Sequence, residues 1–146
     1  MATTQIDVPQ GLPYVDISRE INAPRDLVHR AYTDPELLAQ WLLPTIGFEL
    51  EPGAPFRYET QPQPGWDGIV NCQMLEVEPH RKLSYKWTVP FLDTVVTFTL
   101  APTDAGTKLS LVQSGFRPEQ KQNFGGARYG WRMMGGKLVE LLTRIP

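Results

Sequence analysis

The spacing of apolar residues changes near residue 118, and this change constrains the fold more than any other feature of the chain. Before it, apolar and polar residues alternate in short runs, as they do in half-buried strands. After Pro118 the period becomes helical. The apolar stripe of this last segment comprises Phe124, Trp131, Met134, Leu138, Leu141 and Leu142. The sequence therefore predicts an antiparallel sheet followed by one long helix.

Short turn-forming connections separate the strand-like runs. Glu51-Pro52-Gly53 and Thr103-Asp104-Ala105-Gly106 are typical of hairpins and not of crossover helices. We predict a six-stranded meander at residues 47 to 50, 56 to 60, 69 to 77, 83 to 88, 94 to 100 and 107 to 113.

One further strand and two short helices are predicted ahead of the meander. Residues 14 to 21 alternate as a strand. Asn22 precedes Pro24, and Asp34 precedes Pro35, so each pair offers a capping side chain and a proline suited to the first helical turn. Residues 1 to 13 are expected to form a flexible arm, and residues 14 to 146 a single domain.

Several motifs in this order resemble the bacterial SRPBCC proteins that are similar to the activator of Hsp90 ATPase. The motifs are Ile21 to Val28, Thr33 to Trp41, Leu75 to Pro79 leading to Leu83 and Trp87, Val96 to Leu100, Gly106 to Leu109, and the pair Gly130-Trp131. The chain departs from the family at His29, where Trp is frequent, and at Leu42, where a second Trp often follows. Both departures bear on the shape of a pocket.

The resemblance implies an α+β helix-grip fold, also called START-like or Bet v 1-like. In it, an antiparallel curved sheet, with two short helices after its first strand, wraps around the long C-terminal helix. The family further implies a cavity between sheet and helix, which in many members holds an apolar or amphipathic small molecule. Members include cyclase-like or dehydratase-like enzymes, lipid carriers and a chaperone regulator, so the fold alone does not fix an activity.

Alternation directs many large side chains of the strands toward the final helix. Together with aromatic residues of the connections and of the helix, they are our candidate ligand-binding residues. The candidates are Phe56, Tyr58, Trp66, Tyr85, Trp87, Phe91, Phe98, Phe116, Phe124, Trp131 and Met134. Each can instead simply fill the core, and both interpretations remain open.

Connectivity predicts where the mouth of a cavity lies. Alternate turns of a meander share one end of the sheet, so the connections near residues 60 to 68, 88 to 94 and 113 to 118 are neighbours. They carry Trp66, Phe91, Leu92 and Phe116, although connections normally favour polar residues. We expect these side chains to rim the pocket and to move when a ligand enters. The alternative is that they cap the core or form a subunit contact.

The final helix is unusually rich in glycine. It carries Gly125, Gly126, Gly130, Gly135 and Gly136. Each interior glycine costs about 1 kcal/mol relative to alanine, so something should offset the loss. The absent side chains either leave room for a guest or allow close packing, including packing against a second copy of the chain in a homodimer.

The titratable residues form no recognisable catalytic set, and no catalytic residue is assigned. Candidate acid or base groups are Glu59, Asp67, Gln73, Tyr85 and Asp93, at spacings that do not demand catalysis. His29 and His80 are interpreted as surface histidines, and Cys72 as a small core residue. These three are the only soft ligands, so we expect neither a metal site nor a cofactor.

The charge pattern limits the class of partner, and the cysteine content bears on the cellular location. Residues 117 to 146 carry six basic and two acidic side chains, a balance of +4, spaced like the solvated side of a helix. This pattern is much sparser than a nucleic-acid footprint, so no nucleic-acid partner is expected. We expect neither a signal peptide nor a membrane span. One cysteine allows no internal disulfide, which favours a cytoplasmic location.

The leading hypothesis is a domain that binds an apolar or amphipathic small molecule between the sheet and the C-terminal helix. One alternative is a cyclase-like or dehydratase-like enzyme acting on a hydrophobic, ring-containing substrate. The other is a chaperone-associated interaction protein. Binding predicts an apolar pocket with few polar groups, catalysis predicts converging titratable groups, and a partner role predicts a large exposed apolar patch.

Overall fold

The computed structural model describes residues 14 to 90 and 92 to 144. The predicted arm at residues 1 to 13, Phe91 and residues 145 and 146 lie outside this description. In chain order the elements are β1 (Val15–Ile21), α1 (Arg25–Thr33), α2 (Pro35–Trp41), β2 (Thr45–Ile46), β3 (Pro55–Glu59), β4 (Ile69–Glu78), β5 (Lys82–Val89), β6 (Leu92–Pro102), β7 (Thr107–Ser114) and α3 (Lys121–Leu142). The predicted change from strands to a long final helix is confirmed.

The strands form one antiparallel sheet in the order β1-β7-β6-β5-β4-β3-β2. β2 to β7 make the predicted meander, and β1 closes against β7 through seven residue pairs from Val15↔Gln113 to Ile21↔Thr107. The helices α1 and α2 connect β1 to β2 across the sheet, because these two strands occupy its opposite edges. The result is the helix-grip α+β fold expected from the sequence.

Two local predictions were wrong. The second strand occupies Thr45–Ile46 instead of residues 47 to 50. Gly47 ends this strand because its φ of 75° is incompatible with extended backbone. The first helix is not capped by Asn22, since its N-cap residue is Pro24 and no side chain caps it. The second helix does begin as predicted, with the Asp34 carboxylate accepting a hydrogen bond from the backbone N–H of Glu36 at 3.0 Å.

The core is built from stacked aromatic rings on the inner face of the sheet. Tyr32 of α1 stacks on Phe98 of β6 with 4.8 Å between ring centroids. Phe56 packs edge-on against Tyr85 at 5.2 Å. Trp41 of α2 packs edge-on against Phe98, and its indole N–H donates to the carbonyl of Ala31 at 2.7 Å. This cluster anchors both short helices on the sheet, and α3 packs beside it.

None of the three described helices combines the length and the apolar character needed to cross a lipid bilayer. In α3, glycines and basic residues interrupt the apolar stripe, and its buried residues are Trp131, Leu138, Leu141 and Leu142. The predicted burial of Trp131 is therefore confirmed. The N-terminal half of the helix stands further from the core, and a cleft opens there.

Candidate functional site

A cleft of about 430 Å³ lies between the N-terminal half of α3 and the ends of β5, β6 and β7. Its wall is mostly apolar and aromatic, with three carboxamide side chains. The lining residues are Trp66, Trp87, Val89, Leu92, Gln113, Phe116, Gln122, Asn123, Gly126, Ala127, Gly130, Trp131 and Met134. The three connections that connectivity assigns to one end of the sheet do meet here, through Trp66, Leu92 and Phe116.

The loop that carries Trp66 is held in shape by its backbone. Gln63 and Trp66 exchange hydrogen bonds of 2.8 and 2.9 Å between their backbone groups. The indole N–H of Trp66 donates to the carbonyl of Ile69 at 2.9 Å, and the N–H of Thr60 donates to the carbonyl of Gly68 at 2.8 Å. These bonds satisfy the polar end of the indole and leave its apolar surface toward the cleft.

Three of the seven residues on the helical side of the cleft, Gly126, Ala127 and Gly130, have little or no side chain. Gly126 and Gly130 lie one turn apart on α3, and a Cβ atom added to either would meet nothing within 4 Å. Gln122, Asn123, Trp131 and Met134 complete this side. Gly135 behaves differently, because a Cβ atom there would come within 3.0 Å of the Arg19 guanidinium. Among these glycines the structure therefore gives one example of close packing and two of open space.

A chain of hydrogen bonds fixes the inner wall of the cleft. The indole N–H of Trp131 donates to Oε1 of Gln113 at 2.8 Å, and Nε2 of Gln113 donates to Oγ1 of Thr94 at 2.8 Å. Thr94 in turn donates to the carbonyl of Trp87 at 2.9 Å. An indole can only donate and a carbonyl can only accept, so the direction of the whole chain is determined. It ties α3 to β5, β6 and β7 at one point.

Trp131 also lines a second, much smaller cavity. This cavity measures about 30 Å³ and is almost wholly apolar. Arg19 of β1 and Gly135 of α3 lie at its wall beside aliphatic residues of the sheet. Its volume is close to that of a single water molecule and far below the roughly 300 Å³ at which typical small-molecule sites begin.

None of the candidate acid and base groups lines the cleft, and each has another partner. The Glu59 carboxylate pairs with the Arg57 guanidinium at 2.8 Å. The carboxylates of Asp67 and Asp93 accept hydrogen bonds from the Ile69 N–H and the Thr88 hydroxyl. Gln73 donates to the carbonyl of Gly53, and the Tyr85 hydroxyl lies 2.8 Å from that of Tyr58 in the core. The described lining of the cleft contains no titratable side chain.

The two histidines, His29 of α1 and His80 of the turn between β4 and β5, lie together and do not line the cleft. Their ring centroids are 4.5 Å apart, and Nδ1 of His80 lies 3.1 Å from the Asp26 carboxylate. Partial burial and the neighbouring His80 lower the pKa of His29, while Asp26 opposes the shift. No group of three or more metal-binding side chains occurs among the described residues. Cys72 is buried as a free thiol, and burial raises its pKa.

The structure separates the eleven candidate ligand-binding residues into groups. Those on the cleft wall are Trp66, Trp87, Phe116, Trp131 and Met134. Those packed in the aromatic core are Phe56, Tyr58, Tyr85 and Phe98. Phe124 is half-buried against Phe116 at 5.6 Å, and Phe91 lies outside the described residues. A binding role for any of them remains a prediction.

The sequence interpretation missed the carboxamides of the cleft. Gln113 follows Leu109 and Leu111 at a spacing of two, so the period of β7 alone places it on the inner face. Gln122 and Asn123 belong to the first turn of α3. Asn123 precedes Gly130 by seven residues and Met134 by eleven, so the helical period places it on the same face, with Gln122 at the edge of that face.

Comparison with known proteins agrees with this geometry. Protein MLL2253 from Mesorhizobium loti is 38% identical, with 92% of this chain and 99% of that one aligned at a TM-score of 0.85. Protein NE0264 from Nitrosomonas europaea is 26% identical over 97% of this chain and 99% of that one, at a TM-score of 0.78. DynU16, described as a protein in the dynemicin biosynthetic locus, is 25% identical over 89% of this chain and 47% of that one, at a TM-score of 0.77.

A search of curated proteins found no match to the sequence. The family model described as "Activator of Hsp90 ATPase homolog 1-like protein" matches residues 22 to 143. That range spans most of the chain, from the end of β1 to the end of α3. The chain therefore belongs to the Activator of Hsp90 ATPase homolog 1-like family.

Proposed function

We propose that this protein binds an apolar or amphipathic small molecule in the cleft between the sheet and the N-terminal half of α3. The observation that carries the proposal is the cleft itself, about 430 Å³ with aromatic walls and a glycine-lined helical side. Ligand sites typically measure roughly 300 to 1,000 Å³ and combine apolar walls with a few polar groups. Both the size and the lining fall in this class.

The glycines of the cleft support the same proposal. Gly126 and Gly130 each lower helix stability by about 1 kcal/mol relative to alanine, and neither is needed for contact with a neighbour. A ligand in the cleft would occupy the space that these two glycines leave open. DynU16, from the dynemicin biosynthetic locus, gives a relative with a biosynthetic setting, which is consistent with a small-molecule occupant.

Binding accounts for the lining better than acid–base catalysis does. A catalytic site requires titratable groups that converge on one substrate, whereas the described wall of this cleft offers carboxamides, indoles and aliphatic groups. The large exposed apolar side chains of the described residues are Tyr14, Ile46, Leu50, Leu75, Tyr129 and Met133, which come from several different elements. We therefore favour binding over both alternatives.

Filling the cleft tests the proposal. Gly130→Leu and Gly126→Leu place a side chain in the cleft, whereas Gly125→Leu adds the same side chain on the exposed part of the helix. The probe is the uncharged dye N-phenyl-1-naphthylamine, whose fluorescence rises in apolar sites. We expect saturable binding to the wild type and to Gly125→Leu, and at least about tenfold weaker binding to the two cleft variants. Equal binding to all four proteins would overturn the proposal.

Native mass spectrometry supplies a second test without a chosen probe. Protein purified from its own host should carry a non-covalent small molecule in the wild type and in Gly125→Leu. The same mass should be absent from Gly130→Leu. A mass retained equally by all three proteins would place the bound molecule elsewhere.

We also propose a cytoplasmic location. Cys72 is the one cysteine of the chain and is held as a buried thiol in the core. A chain with a single cysteine cannot form an internal disulfide, which is the feature typical of proteins in oxidising compartments. Cell fractionation with a tagged full-length chain tests this proposal, and recovery in an exported or membrane fraction would contradict it.

A further inference from the structure

We infer that the cleft selects uncharged ring compounds that carry a neutral hydrogen-bonding group, such as a hydroxyl, carbonyl or amide. The corresponding anions and cations should bind more weakly. This inference rests on the proposed function and narrows the class of ligand.

The described lining combines aromatic surface with carboxamides and contains no charged side chain. Gln113, Gln122 and Asn123 supply its polar groups, and each carboxamide offers donors and an acceptor without net charge. Trp66, Trp87 and Trp131 supply flat apolar surface. Such a wall complements a planar ligand with a neutral polar edge.

Gln113 is the most deeply placed of the three carboxamides, with an exposure of only 3%. Its bonds to Trp131 and Thr94 use one lone pair of Oε1 and one hydrogen of Nε2. The second hydrogen and the second lone pair are not used by any bond to the described residues. Buried amides favour hydrogen-bonded partners, so a neutral donor or acceptor on a ligand would satisfy this remaining capacity.

The two charged groups of an adjoining depression each already have a partner. Asp93 and Arg117 line this depression, which shares Val89 and Leu92 with the cleft. Asp93 accepts a hydrogen bond from Thr88, and the guanidinium of Arg117 lies 3.1 Å from the carboxylate of Glu119. An ion that enters the cleft would lose water without gaining a free counter-charge from the described lining. Such a transfer is strongly unfavourable.

Two dyes with the same ring system test this selection. N-phenyl-1-naphthylamine is uncharged, and 8-anilino-1-naphthalenesulfonate adds only a sulfonate. Only the binding that Gly130→Leu abolishes is assigned to the cleft. We expect this binding to be at least about tenfold weaker for the sulfonate than for the neutral dye. Equal or tighter cleft binding of the sulfonate would overturn the inference while leaving the proposed function intact.

A charge placed in the lining tests whether the neutrality of the lining determines the preference between the two dyes. Asn123→Lys puts an ammonium group at the cleft, and Gln40→Lys makes the same kind of change on the exposed part of α2. We expect Asn123→Lys to shift the ratio of the two dissociation constants about tenfold toward the sulfonate, and Gln40→Lys to leave the ratio unchanged. An unchanged ratio in both variants would contradict the inference. Failure of both dyes to bind the wild type would instead contradict the proposed function, and the inference with it.

Discussion

The hydroxyl groups of Tyr58 and Tyr85 lie 2.8 Å apart in the fully buried core, and each is the hydrogen-bond partner of the other. Tyr58→Phe alone leaves the Tyr85 hydroxyl buried without this partner, which we expect to cost about 1 to 3 kcal/mol of unfolding free energy. Replacing both residues by Phe removes both polar groups, so the double variant should lie close to the wild type. Urea unfolding of the wild type, Tyr58→Phe, Tyr85→Phe and the double variant gives the coupling free energy between the two hydroxyl groups. Additive losses would show that the pair is not mutually dependent.

The same pair predicts a loss of stability at alkaline pH. Burial raises the pKa of Tyr58 and of Tyr85 well above the ordinary value of 10.0. Each folded-state pKa is raised, so its contribution to stability is complete below about pH 10 and is lost as the pH rises further. The slope is about 1.4 kcal/mol per pH unit for each tyrosine that stays protonated. The Tyr58→Phe, Tyr85→Phe double variant should lose stability less steeply between about pH 10 and pH 11, and an unchanged slope would contradict this assignment.

Trp131 should be one of the most costly residues to truncate. It is buried against Trp87 and Phe98, with ring centroids 5.6 and 6.2 Å away, and its indole holds Gln113 in place. We expect Trp131→Ala to lower the free energy of unfolding by about 3 to 5 kcal/mol. A loss below about 1 kcal/mol in denaturant unfolding would mean that the site is loosely packed. Tyr129→Ala, on the exposed side of the same helix, is the matched control.

Glycine positions on α3 should respond differently to alanine. At Gly136 the added methyl group meets nothing within 4 Å, so Gly136→Ala should stabilise the protein by about 1 kcal/mol. At Gly135 it would approach Nε of Arg19 at 3.0 Å, and the gain should be smaller. Removing that side chain with Arg19→Ala should restore the full gain of Gly135→Ala. Equal gains at both positions in the presence of Arg19 would show that the side chain yields without cost.

Gly68 should be far less replaceable than Gly53. Both have φ above 80°, so alanine at either position costs about 1 to 2 kcal/mol for the left-handed backbone. At Gly68 the Cβ atom would also lie 2.3 Å from the carbonyl oxygen of Thr60, whereas at Gly53 it meets nothing within 4 Å. Gly68→Ala should therefore be the more destabilising variant and should also weaken dye binding, because it distorts the loop of Trp66. Equal losses of unfolding free energy for the two variants would contradict the close approach.

The sequence predicted the fold better than the depth of its pocket. Connectivity placed Trp66, Leu92 and Phe116 at one end of the sheet, and the structure brings them together because alternate turns of a meander share an end. Alternation also assigned Tyr58 and Tyr85 to the inner face. It could not show that they pack in the aromatic core away from the cleft, because a period of two defines a face and not a distance from the helix.

The local errors have equally physical causes. Asn22 has the chemistry of a capping residue, but the helix begins after Pro24, where the fixed φ of proline already starts the turn. Gly47 was included in a strand because its neighbours alternate, and only its observed φ of 75° shows that the chain turns there. Asn123 was missed for a different reason: the helical period places it on the same face of α3 as Gly130, and the interpretation did not use this spacing.

The glycines that border the cleft make it adjustable from one side. Gly126 and Gly130 face open space, so a graded series of side chains there would shorten the cleft stepwise while leaving the residues of the sheet unchanged. Such a series measures a distance. The smallest side chain that excludes a given ligand shows how close that ligand lies to the helix. By the same reasoning, substitutions in this one helix can change the size of ligand that the cleft accepts. The aromatic core that stabilises the fold need not change.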